Sequence, residues 1–185
     1  ASFTTDTSNK PITLNNQNAI TGQVTFDTTG TGGDVTFDNG ITAISLGTIS
    51  ASDIGGDLTL LTDADQTISN AITLNGSGAD LSITVDADGG TTKSLTVQAA
   101  LTTNAGDITL SADDDVIFTA VTLTSANGNI SVTADDDATS DAESGGALTM
   151  ANGTIFSAGS GTITGIADED ITLGQRTTTN STSSA

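Results

Sequence analysis

The stretch DITLSADDD, residues 107–115, carries apolar side chains at its second and fourth positions, a hydroxyl between them and an acidic block at its end. The same order returns in DLTLLTDAD (57–65), DLSITVDAD (80–88), NISVTADDD (129–137) and TITGIADED (162–170). Shorter versions are PITLNNQ (11–17) and DVTFDNG (34–40). Units therefore start at 11, 34, 57, 80, 107, 129 and 162. The first three steps are 23 residues each, and later steps of 27, 22 and 33 imply insertions in loops. Self-similarity at this period is the mark of a repeat architecture.

Inside a unit the residues one and three places after the start are apolar, as in Leu58 and Leu60, Leu81 and Ile83, Ile108 and Leu110, and Ile130 and Val132. The residue between them is Thr or Ser, so the alternation has period two, with one face buried and one wet. Most starts follow a glycine-bearing turn, such as TNAG before Asp107 and SANG before Asn129. Glycine there suits a corner that needs positive φ or a close backbone approach. A second strand is expected about fifteen residues into each unit, in QVTFD, GTISA, AITLN, SLTVQ, AVTLT and ALTM, with a shorter one between, as in QTIS or VIFT.

Short strands of this kind cannot bury their apolar faces singly, but coil stacked on coil they can. The expected fold is all-β: a parallel β-solenoid of about seven coils, roughly 23 residues per coil. The expected organisation is an N-terminal extension 1–10, a solenoid domain 11–173 and a polar Ser/Thr-rich tail 174–185. An antiparallel β-sandwich is the rival, since it also strings short strands at similar spacing. The in-phase glycines and acidic blocks favour the solenoid, with Leu58, Leu81, Ile108 and Ile130 in one buried stack.

Composition narrows function. The 185 residues include 23 acidic and 3 basic side chains, a formal net charge of −20. That field repels nucleic acid and anionic membranes and favours cationic partners. His, Cys, Trp and Tyr are absent. A Ser-His-Asp or Cys-His constellation cannot be built from this chain, and base-stacking or sugar platforms lack their aromatic residues. No apolar run reaches the ~20 residues of a membrane-spanning helix. The expectation is a non-enzyme that engages neither nucleic acid nor a membrane span. The chain starts at Ala1 rather than Met, which suggests a removed signal or a piece of something larger.

Acidic residues recur six and eight places after the start in five successive units: Asp63 and Asp65, Asp86 and Asp88, Asp113 and Asp115, Asp135 and Asp137, and Asp168 and Asp170. In stacked coils these carboxylates line one edge of the rod. They suit a solvated corner, because Asp favours turns and its charge opposes edge aggregation. They also suit a calcium ladder, because calcium takes 6 to 8 oxygen ligands. The glycine-rich nonapeptide motif of calcium-binding toxins is absent.

The G-[DN]-[IL]-[TS]-[LIV] unit, the Thr/Asp/Gly bias and the scarcity of aromatic residues resemble the repetitive β-solenoid regions of large secreted bacterial surface proteins of the filamentous-haemagglutinin type. The resemblance spans most of residues 11–173 and implies an extracellular or cell-surface arm, stalk or fibre that carries or forms adhesive surfaces. The secretion domain expected at the start of such proteins is not seen in this sequence.

Two functional readings follow. The first is a structural protein: a subunit of a self-assembling surface filament, or else a stalk segment of a large adhesin. A solenoid has two open ends, and neither end of this sequence shows a helical or charged cap, so a head-to-tail homopolymer through the termini is expected. Phe3 is the apolar anchor of an otherwise polar leader. The second is a binding module for a carbohydrate, a receptor or an ice surface. Outward pairs Ser82/Thr84, Thr109/Ser111 and Ser131/Thr133 are the sequence feature behind the ice-surface reading.

Overall fold

Alternation with period two, interrupted by glycine-bearing turns every few residues, favours short strands over helix along the repeats. In the computed structural model, which describes residues 1–7, 9–28, 32–86, 92–135 and 146–173, every regular element is a strand and every strand pairing is parallel. The rival sandwich is thereby excluded, because its strands pair antiparallel.

Four sheets make up three faces along the rod. The first face holds seven strands, one per repeat: β2 (Ile12–Leu14), β4 (Val35–Asp38), β5 (Leu58–Thr62), β8 (Leu81–Val85), β11 (Ile108–Ala112), β14 (Ile130–Ala134) and β17 (Ile163–Ile166). They pair start on start, so Ile12, Val35, Leu58, Leu81, Ile108, Ile130 and Ile163 form one column. Leu58, Leu81, Ile108 and Ile130 are each 0% exposed. Thr13, Thr36, Thr59, Ser82, Thr109, Ser131 and Thr164 form the outward column beside it.

The second face holds β6 (Gln66–Ile68), β9 (Leu95–Val97), β12 (Val116–Phe118), β15 (Leu148–Met150) and β18 (Ile171–Leu173). It begins at the third repeat. Below it the inward Gln66, buried among apolar side chains, holds the backbone of Ile44 instead: Ile44 N–H donates to its Oε1 at 2.6 Å and its Nε2 donates to Ile44 C=O at 2.9 Å. Asn39, likewise buried, accepts from Ile20 N–H at 2.7 Å and donates to Thr42 C=O at 2.9 Å. Two side-chain amides thus replace ladder bonds where the first two coils are irregular, keeping buried backbone groups satisfied.

The third face holds β7 (Ile72–Ser77), β10 (Leu101–Asn104), β13 (Thr122–Thr124) and β16 (Ile155–Ser157). It is continued below by an isolated bridge from Ile49 to Ile72, another from Val24 to Leu46, and the pair β1 (Ser2–Thr5) and β3 (Thr25–Thr28). The leader is therefore part of the stack: Phe3 lies over Phe26, with ring centroids 5.9 Å apart.

The second and third faces correct one sequence expectation. SLTVQ and ALTM fall on β9 and β15 of the second face, whereas AITLN and AVTLT fall on β7 and β13 of the third. Counting from the unit start merged the two faces. In the units starting at 80 and 129 a longer first corner delays the second-face strand to about the position that the third-face strand holds elsewhere. The core itself is one continuous apolar column, from Ile12 to Ala158, enclosed by the three faces.

Candidate functional site: corners and ends

The first corner, between the first and second faces, carries the acidic blocks. Gln17, Gly40, Asp63, Asp86, Asp113 and Asp135 each stand six places after a unit start, and Asp63, Asp86, Asp113 and Asp135 directly follow the paired first-face strands. Gln17, Gly40, Asp86 and Asp135 have positive φ, of 47°, 55°, 59° and 62°. This is a left-handed turn position, which glycine accepts freely and Asp tolerates better than bulky residues do. Asp86 and Asp113 are nearly buried, at 6% and 9% exposure; Asp63 and Asp135 are half-buried and Asp168 is exposed.

The second acidic position does different work. Asp65 Oδ1 accepts the N–H of Ser94 at 3.0 Å, and Asp115 Oδ1 accepts the N–H of Ala147 at 2.9 Å. Ser94 and Ala147 each stand just before a second-face strand of the next coil. Each carboxylate thus holds the entry of the following strand. Asp114 adds a bond from Ser94 Oγ at 3.0 Å. Asp170 occupies the same position on the last coil and is exposed. Asp88 and Asp137 lie outside the described residues. Among the described residues, no three acidic side chains converge as a metal ion would require.

The third corner, where one coil passes to the next, holds a separate ladder of side-chain to backbone bonds. Asp57 N–H donates to Asp34 Oδ1 at 3.1 Å, Asp80 N–H to Asp57 Oδ1 at 2.9 Å, and Asp107 N–H to Asp80 Oδ1 at 2.7 Å. Asn129 N–H donates to Asp107 Oδ1 at 2.7 Å, and Thr162 N–H to Asn129 Oδ1 at 3.0 Å. Each unit start from Asp34 to Asn129 is tied to the next by its own side chain. The signal was present in the sequence as the [DN] that opens five of the seven units. The first start, Pro11, has neither a side-chain acceptor nor an N–H.

Two further features shape that corner. A hydroxyl closes it from inside: Thr5 Oγ1 donates to Lys10 C=O at 3.2 Å, Thr28 Oγ1 to Gly33 C=O at 2.8 Å, Thr103 Oγ1 to Gly106 C=O at 2.6 Å and Ser125 Oγ to Gly128 C=O at 2.6 Å. Glycine precedes the start because the coils touch there. A Cβ on Gly106 would overlap the carbonyl oxygen of Ala79, and one on Gly128 that of Gly106.

The outward hydroxyls do not make a two-column array. Thr109 is exposed, but Ser111 in the next outward column is only 7% exposed, and Leu61 and Ile166 stand in that column elsewhere.

The ends differ from the shaft. On the last coil the inward-column residues Ile163, Ile171 and Leu173 are 46%, 46% and 41% exposed, whereas Ile130, Leu148 and Met150 directly beneath are 0%, 2% and 5% exposed. No helix among the described residues is long and apolar enough to cross a membrane. No family description, curated protein or solved structure matches the chain.

Proposed function

We propose that this chain is a non-enzymatic structural rod of an extracellular or cell-surface fibre, joined end to end with further copies of itself. The observation that carries this reading is the uncovered apolar end formed by Ile163, Ile171 and Leu173. Three large apolar side chains in the core columns of the last described coil are 41–46% exposed. Burying one such side chain stabilises by about 1.5–3 kcal/mol, and another coil in the same register is the surface shaped to do so. The shaft supports the same reading. Its corners spend their carboxylates on coil-to-coil bonds, and its outward faces carry short hydroxyls.

The extracellular setting rests on the resemblance to secreted bacterial surface repeats. A stalk within a larger adhesin is the alternative, in which the covering coil belongs to the same polypeptide. Sedimentation velocity of the 185-residue chain over a wide concentration range separates the two. Growing rods support self-assembly, and a monomer at every concentration favours the stalk. A calcium ladder at the first corner is a separate proposal, supported by the acidic blocks alone. A melting temperature that rises with calcium, less so in Asp113→Asn or Asp135→Asn, supports it through preferential binding to the native state. Indifference to calcium and chelator removes it.

A further inference from the structure

From the third coil upward, charge keeps to one side of the rod. Residues 66–79, 94–106, 116–134 and 146–167 contain no Asp, Glu, Lys or Arg. Each of these runs passes along the second face, round the next corner and along the third face. From Asp57 onward, every charged residue among those described stands at a unit start or on the first corner, as Asp80 and Asp86 or Asp107 and Asp113 do. Those positions are the two edges of the first face. Asp27 and Asp53, on the first two coils, bound the uncharged area from below.

The third face presents the middle of this area as a ladder of short side chains. Ile72, Leu101, Leu123 and Phe156 are buried in the core, and pairing brings Thr73, Thr102, Thr124 and Ser157 into one outward column. A centre depleted of charged side chains inside a charged rim is the composition of a protein–protein contact. From this segregation we infer that the third face docks against the third face of a second copy, rod beside rod, with twofold symmetry. The contact is lateral and uses none of the residues at the ends.

Electrostatics selects the partner. The chain carries a net charge of −20. Two copies meeting through their first faces oppose rows of carboxylates, each pair about 4 Å apart repelling by about 1 kcal/mol in water. The same copies meeting through their third faces oppose none. A basic partner finds no counter-charge on this face, and a sugar finds no Trp or Tyr, which the chain lacks. A copy of the same face needs neither.

The area sets the strength. The face is four strands tall and about five residues wide, about 19 Å by 16 Å at 4.8 Å per coil and 3.3 Å per residue. That is roughly 300 Å² per copy, against ~800 Å² in a standard interface. One pair of chains therefore associates weakly, and a row of copies multiplies the contact through effective concentration.

The chain has no cysteine, so single cysteines report which faces meet. Full-length Thr102→Cys and Thr124→Cys, alone and mixed, are treated at high concentration with a bifunctional thiol cross-linker of about 10 Å span, the spacing of stacked sheets. Thr109→Cys on the first face is the control. Thr109 is exposed whereas Thr102 and Thr124 are half-buried, so accessibility by itself favours the control. Covalent dimer is expected about tenfold faster from the third-face cysteines, as a preference of about 1.4 kcal/mol gives. Each cysteine linking to its own counterpart identifies parallel rods, and linkage in the mixture alone identifies antiparallel rods; both support the contact. Dimer forming as fast from Thr109→Cys would overturn it. So would cross-linking within one chain between Thr102→Cys and Thr178→Cys, which identifies the chain's own tail as the occupant. A second arm measures the rod cross-section by small-angle X-ray scattering. The double variant Thr102→Asp with Thr124→Asp is expected to thin paired rods to single ones and to leave their length unchanged. Unmodified chain already as thin as the double variant would overturn the lateral contact, whereas a chain that pairs sideways and never lengthens would sink the end-to-end reading alone.

Discussion

Asp80 shows the balance that every corner strikes. Its Oδ1 accepts a backbone N–H from the coil above, and its own N–H donates to Asp57 below. Like carboxylates one coil apart, about 4.8 Å, repel by about 0.9 kcal/mol in water. A hydrogen bond from N–H to a charged acceptor contributes about 1.5–3 kcal/mol, so at an exposed corner the bond wins over the repulsion. Asn keeps the acceptor and drops the charge, as Asn129 already does. Asp80→Asn should therefore unfold at the same or higher denaturant concentration, and Asp80→Ala should lose about 1–2 kcal/mol. Equal loss in both variants would contradict the ladder. At Gly128 the constraint is steric rather than electrostatic. Gly128→Ala should destabilise far more than a surface substitution, because the new Cβ meets the Gly106 carbonyl, which is backbone and cannot step aside. Ala105 and Ala120, by contrast, sit at φ of 64° and 53°. Glycine there relieves a left-handed strain of roughly 1–2 kcal/mol per residue, and thermal melts of Ala105→Gly should show a gain.

At the scale of elements, the first-face strands share one environment until the stack ends. Leu81→Ala opens a cavity between two coils and should cost about 2–5 kcal/mol. Ile163→Ala, on the uncovered coil, should cost the isolated chain far less, and its larger effect should fall on association. Chemical denaturation checks the first and sedimentation the second. These strands were legible in sequence because their start residue, alternation and corner glycine recur together, and every unit start lies directly before a first-face strand. The other two faces were blurred because their distance from the start depends on corner length, which varies from coil to coil. The acidic columns were legible as positions and not as roles. In the first, Asp86 and Asp135 take a left-handed turn; in the second, Asp65 and Asp115 accept an N–H of the next coil. Geometry separates them where composition cannot. The unit-start ladder was visible as a repeated letter, but nothing in the sequence says where its side chain points.

At the scale of the whole molecule, the proposed end-to-end junction is a coil-on-coil contact like those within the chain, so stability and assembly would draw on one kind of interface. The net charge of −20 opposes it. Screening lengths shorten from about 30 Å at 0.01 M salt to about 8 Å at 0.15 M. Association should therefore strengthen with added sodium chloride over that range; weakening would point to a contact driven by charge attraction. First and third faces each supply seven levels per copy, counting the irregular second coil, so a continuous stack advances about 34 Å per copy at about 4.8 Å per coil. Cryo-electron microscopy of the concentrated chain measures this directly. The account predicts filaments of uniform cross-section, with the strand spacing unbroken across each junction and an axial repeat of about 34 Å. Separate rods of that length, or rods joined side by side with their apolar ends still exposed, would contradict it.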